Sequence, residues 1–130
     1  TVEILIVESF GILYLEDESK VVIYIYDIFK INADLYYLSI ALKNLIDNAL
    51  KYAISYSIII EANKNEISIS NKGQKLSKEI EYYLKPFTQE LSQRDGFGLG
   101  LSIVKKIIDK HNFKLEYFYE NGNNIFKIYW

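Results

Sequence analysis

The sequence has no cysteine and no methionine, and only one proline and one histidine. Without cysteine there is no disulfide framework, no thiolate metal site and no cysteine nucleophile, and His111 alone offers too few ligands for a His-based zinc site. One histidine still permits a Ser/His/Asp triad by count, but no G-x-S-x-G turn is present to expose a serine. No apolar run approaches the roughly 20 residues that span a bilayer, since even Val21 to Phe29 is interrupted by Asp27. Neither sign of charge dominates: 15 basic residues stand against 17 acidic ones, for a net charge of −2. They form no block that would track a phosphate backbone, so no nucleic-acid partner is expected. A chain that opens on Thr1 and lacks methionine reads as a piece of a longer protein, with any membrane anchor upstream. What is present, 130 residues of which 50% are apolar and 15% aromatic, suits a single domain over 1–130 with a continuous core.

Val2 to Leu15 is so densely apolar that no period is clean; its β-branched content favours a strand and its length a helix. Lys20 to Tyr26 reads as a strand and Phe29 to Asn32 as a shorter one, before Asp34, a helix-capping residue. From Leu35 to Ala53, Leu38, Leu42, Leu45, Ala49 and Tyr52 recur at spacings of three and four, which predicts a long amphipathic helix. Ser57 to Ala62 and Glu66 to Ser70 read as an antiparallel hairpin, with Asn71, Lys72 and Gly73 breaking the second strand. Ser77 is placed to cap a short helix through Leu84, and Thr88 to Phe97 reads as a mobile loop. A second amphipathic helix follows from Leu99 to Lys110, with Leu101, Val104, Ile107 and Ile108 inward. Phe113 to Tyr119 and Ile125 to Trp130 then close a hairpin around residues 121–124.

Two features carry chemistry. Residues on a helix turn by about 100° each, so Asn44, Asn48 and Lys51 fall within about 60° of one another. They form a polar face, which by itself is also what a solvated helix shows. Gly96-Phe97-Gly98-Leu99-Gly100-Leu101 sets alternating glycines at a helix N-terminus, where unpaired N–H groups and the helix dipole favour a phosphate. The same glycines also suit a hinge, and the run lacks both the Rossmann fingerprint and the Walker A lysine.

Taken together, Asn44-Leu45-Ile46-Asp47-Asn48-Ala49-Leu50-Lys51-Tyr52 and Gly96-Phe97-Gly98-Leu99-Gly100-Leu101-Ser102-Ile103-Val104 resemble the N box and second glycine box of bacterial sensor histidine kinases. Leu84-Lys85-Pro86-Phe87-Thr88 resembles that family's F box, at the start of its ATP lid. The resemblance covers Lys20 to Trp130 and is to the catalytic ATP-binding domain, within the superfamily that includes gyrase, Hsp90 and MutL. It implies the Bergerat ATP-binding fold, an α/β (α+β) two-layer sandwich in which a mixed, mostly antiparallel five-stranded sheet packs on three main helices. The first of these would be Thr1 to about Leu15. His111-Asn112 stands where the family often has His-Gly, which makes His111 structural.

The resemblance further implies that Asn48 coordinates Mg²⁺ bridging the phosphates of ATP, that Asn44 and Lys51 lie beside phosphate oxygens, and that Tyr52 faces the base or the lid. Gly96, Gly98 and Gly100 would let the lid backbone approach the phosphates, with Phe87, Leu99 and Leu101 in the flanking boxes. Arg94 reads either as a phosphate contact or as a solvated side chain. The first glycine box, D-x-G-x-G, aligns with Asn71-Lys72-Gly73-Gln74-Lys75. Its adenine-reading aspartate is thus Asn71 and its second glycine Lys75, which implies weaker or less selective nucleotide binding; a plain turn after a strand is the other reading of Asn71. Asn44 stands where the hydrolysing relatives carry a glutamate, so efficient hydrolysis is not expected. The expected activity is transfer of the γ-phosphoryl group of Mg-ATP to a histidine on the protein's own dimerisation domain, and from there to a response regulator. The isolated chain would be a monomer and kinase-silent, and the full-length protein a homodimer whose kinase domain is cytoplasmic and anchored to the inner membrane. The alternative is a degenerate nucleotide-binding domain that serves as a partner-docking module.

Overall fold

In the computed structural model, the described residues are 21–27, 31, 33–53, 58–85 and 100–130, without the side chain of Tyr52. The elements are β1 (Val21–Ile25), α1 (Leu35–Tyr52), β2 (Ile58–Ala62), β3 (Glu66–Lys72), α2 (Ile80–Tyr83), α3 (Gly100–Lys110), β4 (Lys114–Glu120) and β5 (Asn123–Tyr129). They form one five-stranded sheet in the order β1-β2-β3-β5-β4, parallel between β1 and β2 and antiparallel at the other three pairings. This is the mixed, mostly antiparallel sheet that the sequence led us to expect. The helix expected over Thr1 to Leu15 and the loop expected over Thr88 to Phe97 lie outside the described residues. So does most of the strand expected over Phe29 to Asn32, and Ile31 itself is not in a strand.

The core lies between the sheet and the helices. Leu38, Leu42, Leu45, Ile46 and Ala49 of α1 and Leu101, Val104, Ile107 and Ile108 of α3 are buried against Ile58, Ile60, Ile67, Ile69, Phe126 and Ile128. Burial of one helix stripe and of alternate strand residues supplies the hydrophobic free energy of the fold. No helix among the described residues is long and apolar enough to cross a membrane.

Helix ends follow the expected chemistry at α1 and depart from it at α2. Asp34 caps α1, its Oδ1 accepting from the Tyr37 N–H at 3.1 Å. The short helix α2 starts at Ile80, not at Ser77, and Glu79 before it makes no side-chain cap. Ser77 Oγ instead sits 3.2 Å from Tyr83 Oη, which draws it away from the helix start. At the end of α3, Asn112 has φ 58°, with Asn112 N–H bonded to Asp109 O and Phe113 N–H to Ile108 O, both at 3.0 Å. This Schellman closure needs a left-handed residue, which asparagine tolerates better than most.

Two strand limits also differ from expectation. β3 runs through Asn71 and Lys72, because Asn71 keeps its place in the ladder opposite Ile58 and Asn124. The last hairpin turns on Asn121 and Gly122 alone, at φ 51° and 79°, the two left-handed positions of a two-residue hairpin turn. Asn123 and Asn124 therefore belong to β5.

A chain of contacts fixes which ends of these elements lie together. Asp34 N–H donates to His111 Nε2 at 3.1 Å, joining the start of α1 to the end of α3. His111 lies against Phe113 and Phe113 against Trp130, and Trp130 Nε1 donates to Lys64 O at 2.8 Å in the turn before β3. The far end of the molecule therefore holds the last turns of α1, the first turn of α3 and the close of β3. His111 is structural, as expected: with Nε2 accepting, its Nδ1–H donates to Ile107 O at 2.8 Å, so both ring nitrogens are engaged.

Candidate functional site

At that far end, α1 presents Asn44, Asn48 and Lys51. Asn44 and Asn48 are half-buried and Lys51 is exposed. Asn44 Nδ2 donates to Ile40 O, one turn back, at 3.0 Å, which leaves its Oδ1 directed at the start of α3. A methyl group built on Gly100 would stand 3.8 Å from that oxygen, ordinary van der Waals distance. Among the described residues, then, no neighbour demands glycine at 100. Lys51 Nζ lies 3.3 Å from Asp47 Oδ2. Among the described residues the Asn48 side chain makes no hydrogen bond, so its amide keeps its capacity for a ligand. The start of α3 adds the positive end of its dipole.

Asn71 closes the site from the sheet. It is buried on the helix-facing side of β3, in alternation with Ile67 and Ile69. Among the described residues its side chain makes one long hydrogen bond, Nδ2 to Lys72 O at 3.5 Å. Gly73 follows, its N–H bonded to Gly122 O at 3.1 Å, while Lys75 is exposed. Leu101 is buried in the core. The structure thus sets Gly100 beside the Asn44 side chain and Asn48, Lys51, Asn71 and Gly73 at the same end. The remaining expected site residues, Phe87, Arg94, Gly96, Gly98 and Leu99, lie outside the described residues, as does the side chain of Tyr52.

Sequence reasoning missed a polar cluster beside Asn71. Asn124 is buried on β5 directly opposite Asn71 in the ladder. Its Oδ1 accepts from the Tyr117 hydroxyl and its Nδ2 donates to Gln74 O at 2.9 Å. The Tyr117 oxygen in turn accepts from Leu76 N–H at 3.3 Å, and Tyr119 donates to Gly73 O at 3.0 Å. The available signal was an asparagine in phase with Phe126 and Ile128 on the inward side of a strand.

Comparison with known proteins places this geometry. Residues 33–129 match the family described as histidine kinase-, DNA gyrase B- and HSP90-like ATPase. The chain is 39% identical over 101 residues to the sensor histidine kinase ArsS of Helicobacter pylori, covering 76% of this chain and 24% of that protein. It is 31% identical over 122 residues to the sensor histidine kinase HprS of Escherichia coli, covering 88% and 27%. The chain therefore spans about a quarter of the length of these relatives. In fold it resembles the catalytic domain of histidine kinase ThkA, with a TM-score of 0.78 at 23% identity, covering 95% of this chain and 88% of that one. The cytoplasmic segment of histidine kinase QseC gives 0.69 at 21%, covering 99% and 74%. From the matched motifs, the five-stranded sheet and these likenesses, the chain belongs to the histidine kinase-, DNA gyrase B- and HSP90-like ATPase family, as a domain of the sensor histidine kinase type.

Proposed function

We propose that this chain binds Mg-ATP at the end formed by α1, α3 and the close of β3, and offers the γ-phosphoryl group to a histidine on the dimerisation domain of a longer, homodimeric sensor kinase. A response-regulator aspartate then receives the group, and the domain works on the cytoplasmic side of a membrane-anchored protein. The observation that carries this reading is the half-buried Asn48, its amide without a hydrogen bond among the described residues, on the same helix face as Asn44 and one turn from Lys51.

The donor set suits the implied metal. Mg²⁺ takes hard oxygen ligands and usually one or two from protein, the rest from phosphate and water, which the Asn48 carbonyl oxygen matches. Bound there, the ion would supply neutralisation of charge on the phosphate oxygens. Lys51 adds a cation beside the phosphates and α3 its N-terminal dipole, so the chain contributes positioning and electrostatics to phosphoryl transfer. Asn44 has no proton to take up near neutral pH and its amide is turned to Ile40 O, so water is not activated there and transfer dominates over hydrolysis. Asn71 reads the adenine amino group through Oδ1, without the charge assistance of a carboxylate.

Calorimetric titration with ATP, with and without Mg²⁺, beside Asn48→Ala tests this reading. The expected result is Mg²⁺-dependent binding that the variant loses. Binding that ignores both Mg²⁺ and Asn48 would overturn it. A second reading, a docking module without turnover, is favoured by Asn71 and Lys75 in the first glycine box, and absence of ATP binding in both proteins would establish it over the first.

A further inference from the structure

Asparagine is an ambiguous reader of a base, because its side chain carries an acceptor and a donor of nearly equal shape. Asn71 selects an adenine amino group only while its Oδ1, and not its Nδ2, is available to the ligand. The ladder places a second buried asparagine, Asn124, opposite it, with Cβ atoms of such pairs about 5 Å apart. An unoccupied amide at that distance would compete with the base for Asn71.

Asn124 does not compete, because both halves of its amide are engaged elsewhere. Leu76 N–H donates to the Tyr117 oxygen, the Tyr117 hydroxyl donates to Asn124 Oδ1, and Asn124 Nδ2 donates to Gln74 O. The relay starts and ends in one short segment, Gln74 to Leu76, and each member has one assignment of donor and acceptor. Two further bonds, Tyr119 to Gly73 O and Gly73 N–H to Gly122 O, pin the start of that segment to the same β4–β5 hairpin. The hairpin thus holds the backbone that follows Asn71 at the position where the family's second glycine is replaced by Lys75.

We propose that Tyr117 and Asn124 are positioning residues for the nucleotide base: together they keep the Asn71 acceptor and the Gly73–Leu76 backbone set for adenine. The inference rests on the nucleotide reading above. Without the Tyr117 hydroxyl, Asn124 Oδ1 is a buried acceptor lacking its donor, a costly state, and the amide across the ladder that can satisfy it belongs to Asn71. Asn71 Nδ2 then turns from Lys72 O to Asn124 Oδ1, and the Asn71 Oδ1 moves with it, away from the base. ATP loses its specific contact, whereas GTP, which presents a carbonyl at that position, never had it.

Calorimetry of the 130-residue chain with Mg-ATP and Mg-GTP, on wild type, Tyr117→Phe and Tyr129→Phe, tests this. Tyr117→Phe is expected to weaken ATP about five- to tenfold, the effect of one lost hydrogen bond, and to leave GTP unchanged, so the ATP-to-GTP ratio falls. Tyr129→Phe, at the opposite end of β5 and opposite Glu66 in the ladder, keeps that ratio within about twofold, less than the effect of one hydrogen bond. An equal loss for both nucleotides in Tyr117→Phe, or an unchanged ratio, would overturn the proposal. Amide exchange of wild type supplies a reading that needs no variant: ATP, but not GTP, should slow exchange at Leu76, and equal slowing or none would count against it. Wild type that binds ATP through Mg²⁺ and Asn48 while Tyr117→Phe keeps its ratio sinks the positioning role alone. Wild type that binds neither nucleotide sinks both readings.

Discussion

In the proposed nucleotide site, Asn71 is the residue expected to set affinity. Its carboxamide lies in a buried ladder position with one long hydrogen bond among the described residues, so Asn71→Asp exchanges a neutral acceptor for a charged one. A charge-assisted bond exceeds a neutral one by about 1 kcal/mol, and we expect ATP affinity to rise about fivefold by calorimetry. The same substitution buries a carboxylate when no nucleotide is bound, so the ligand-free melting temperature should fall, and saturating ATP should raise it by more than it raises that of wild type. Unchanged affinity would show that residue 71 does not touch the base. Tyr117 gives a second prediction. Burial pushes its hydroxyl above the ordinary tyrosine range, partly offset by the Leu76 N–H. A group whose folded pKa is raised lends stability that is complete below its unfolded value of about 10 and is lost as pH rises through the folded value. Stability measured by urea titration should therefore decline above pH about 10, and Tyr117→Phe should flatten that decline. Some slope will remain from Tyr26, which desolvation and neighbouring Glu61 also raise.

At the scale of elements, the ends of α3 divide the work. Its start lies beside Asn44, at the proposed nucleotide site, and its end is locked by Asn112 at φ 58° and by His111 on the first turn of α1. Asn112→Gly should stabilise the fold by about 0.5 kcal/mol and Asn112→Val destabilise it by about 1–2 kcal/mol, read from urea midpoints, with nucleotide affinity unaltered in either. How far the elements were legible follows from where their signals are local. The spacing of Leu38, Leu42, Leu45 and Ala49 and the Asp34 cap are each written within a few residues, and the structure agrees with both; the last hairpin is legible too, but with its turn drawn two residues too long. The β3 limit was misread because Asn71 and Lys72 carry turn chemistry, while their place in the ladder is set by Asn124, a partner far along the chain. The relay through Tyr117 was invisible for the same reason: nothing local joins Leu76 to Tyr117. The candidate motifs stand out in the sequence because each falls within one short stretch; the structure describes the α1 motif and Gly100, while Gly96 and Gly98 lie outside the described residues.

The whole molecule is polarised. One end is stitched by Asp34, His111, Phe113, Trp130 and Lys64 O, and the other gathers Asn44, Asn48, Lys51, Gly100, Asn71 and Gly73. Nucleotide is proposed to bind at the second end. The decisive experiment is a ¹⁵N–¹H correlation spectrum of the chain titrated with a non-hydrolysable ATP analogue and Mg²⁺. Large shifts are expected for the amides of Asn44, Asn48, Asn71, Gly73, Gly100 and Leu101, with Asn65, His111, Phe113 and Trp130 unmoved. Shifts concentrated at His111, Phe113 and Trp130, or none anywhere at saturating nucleotide, would refute binding there.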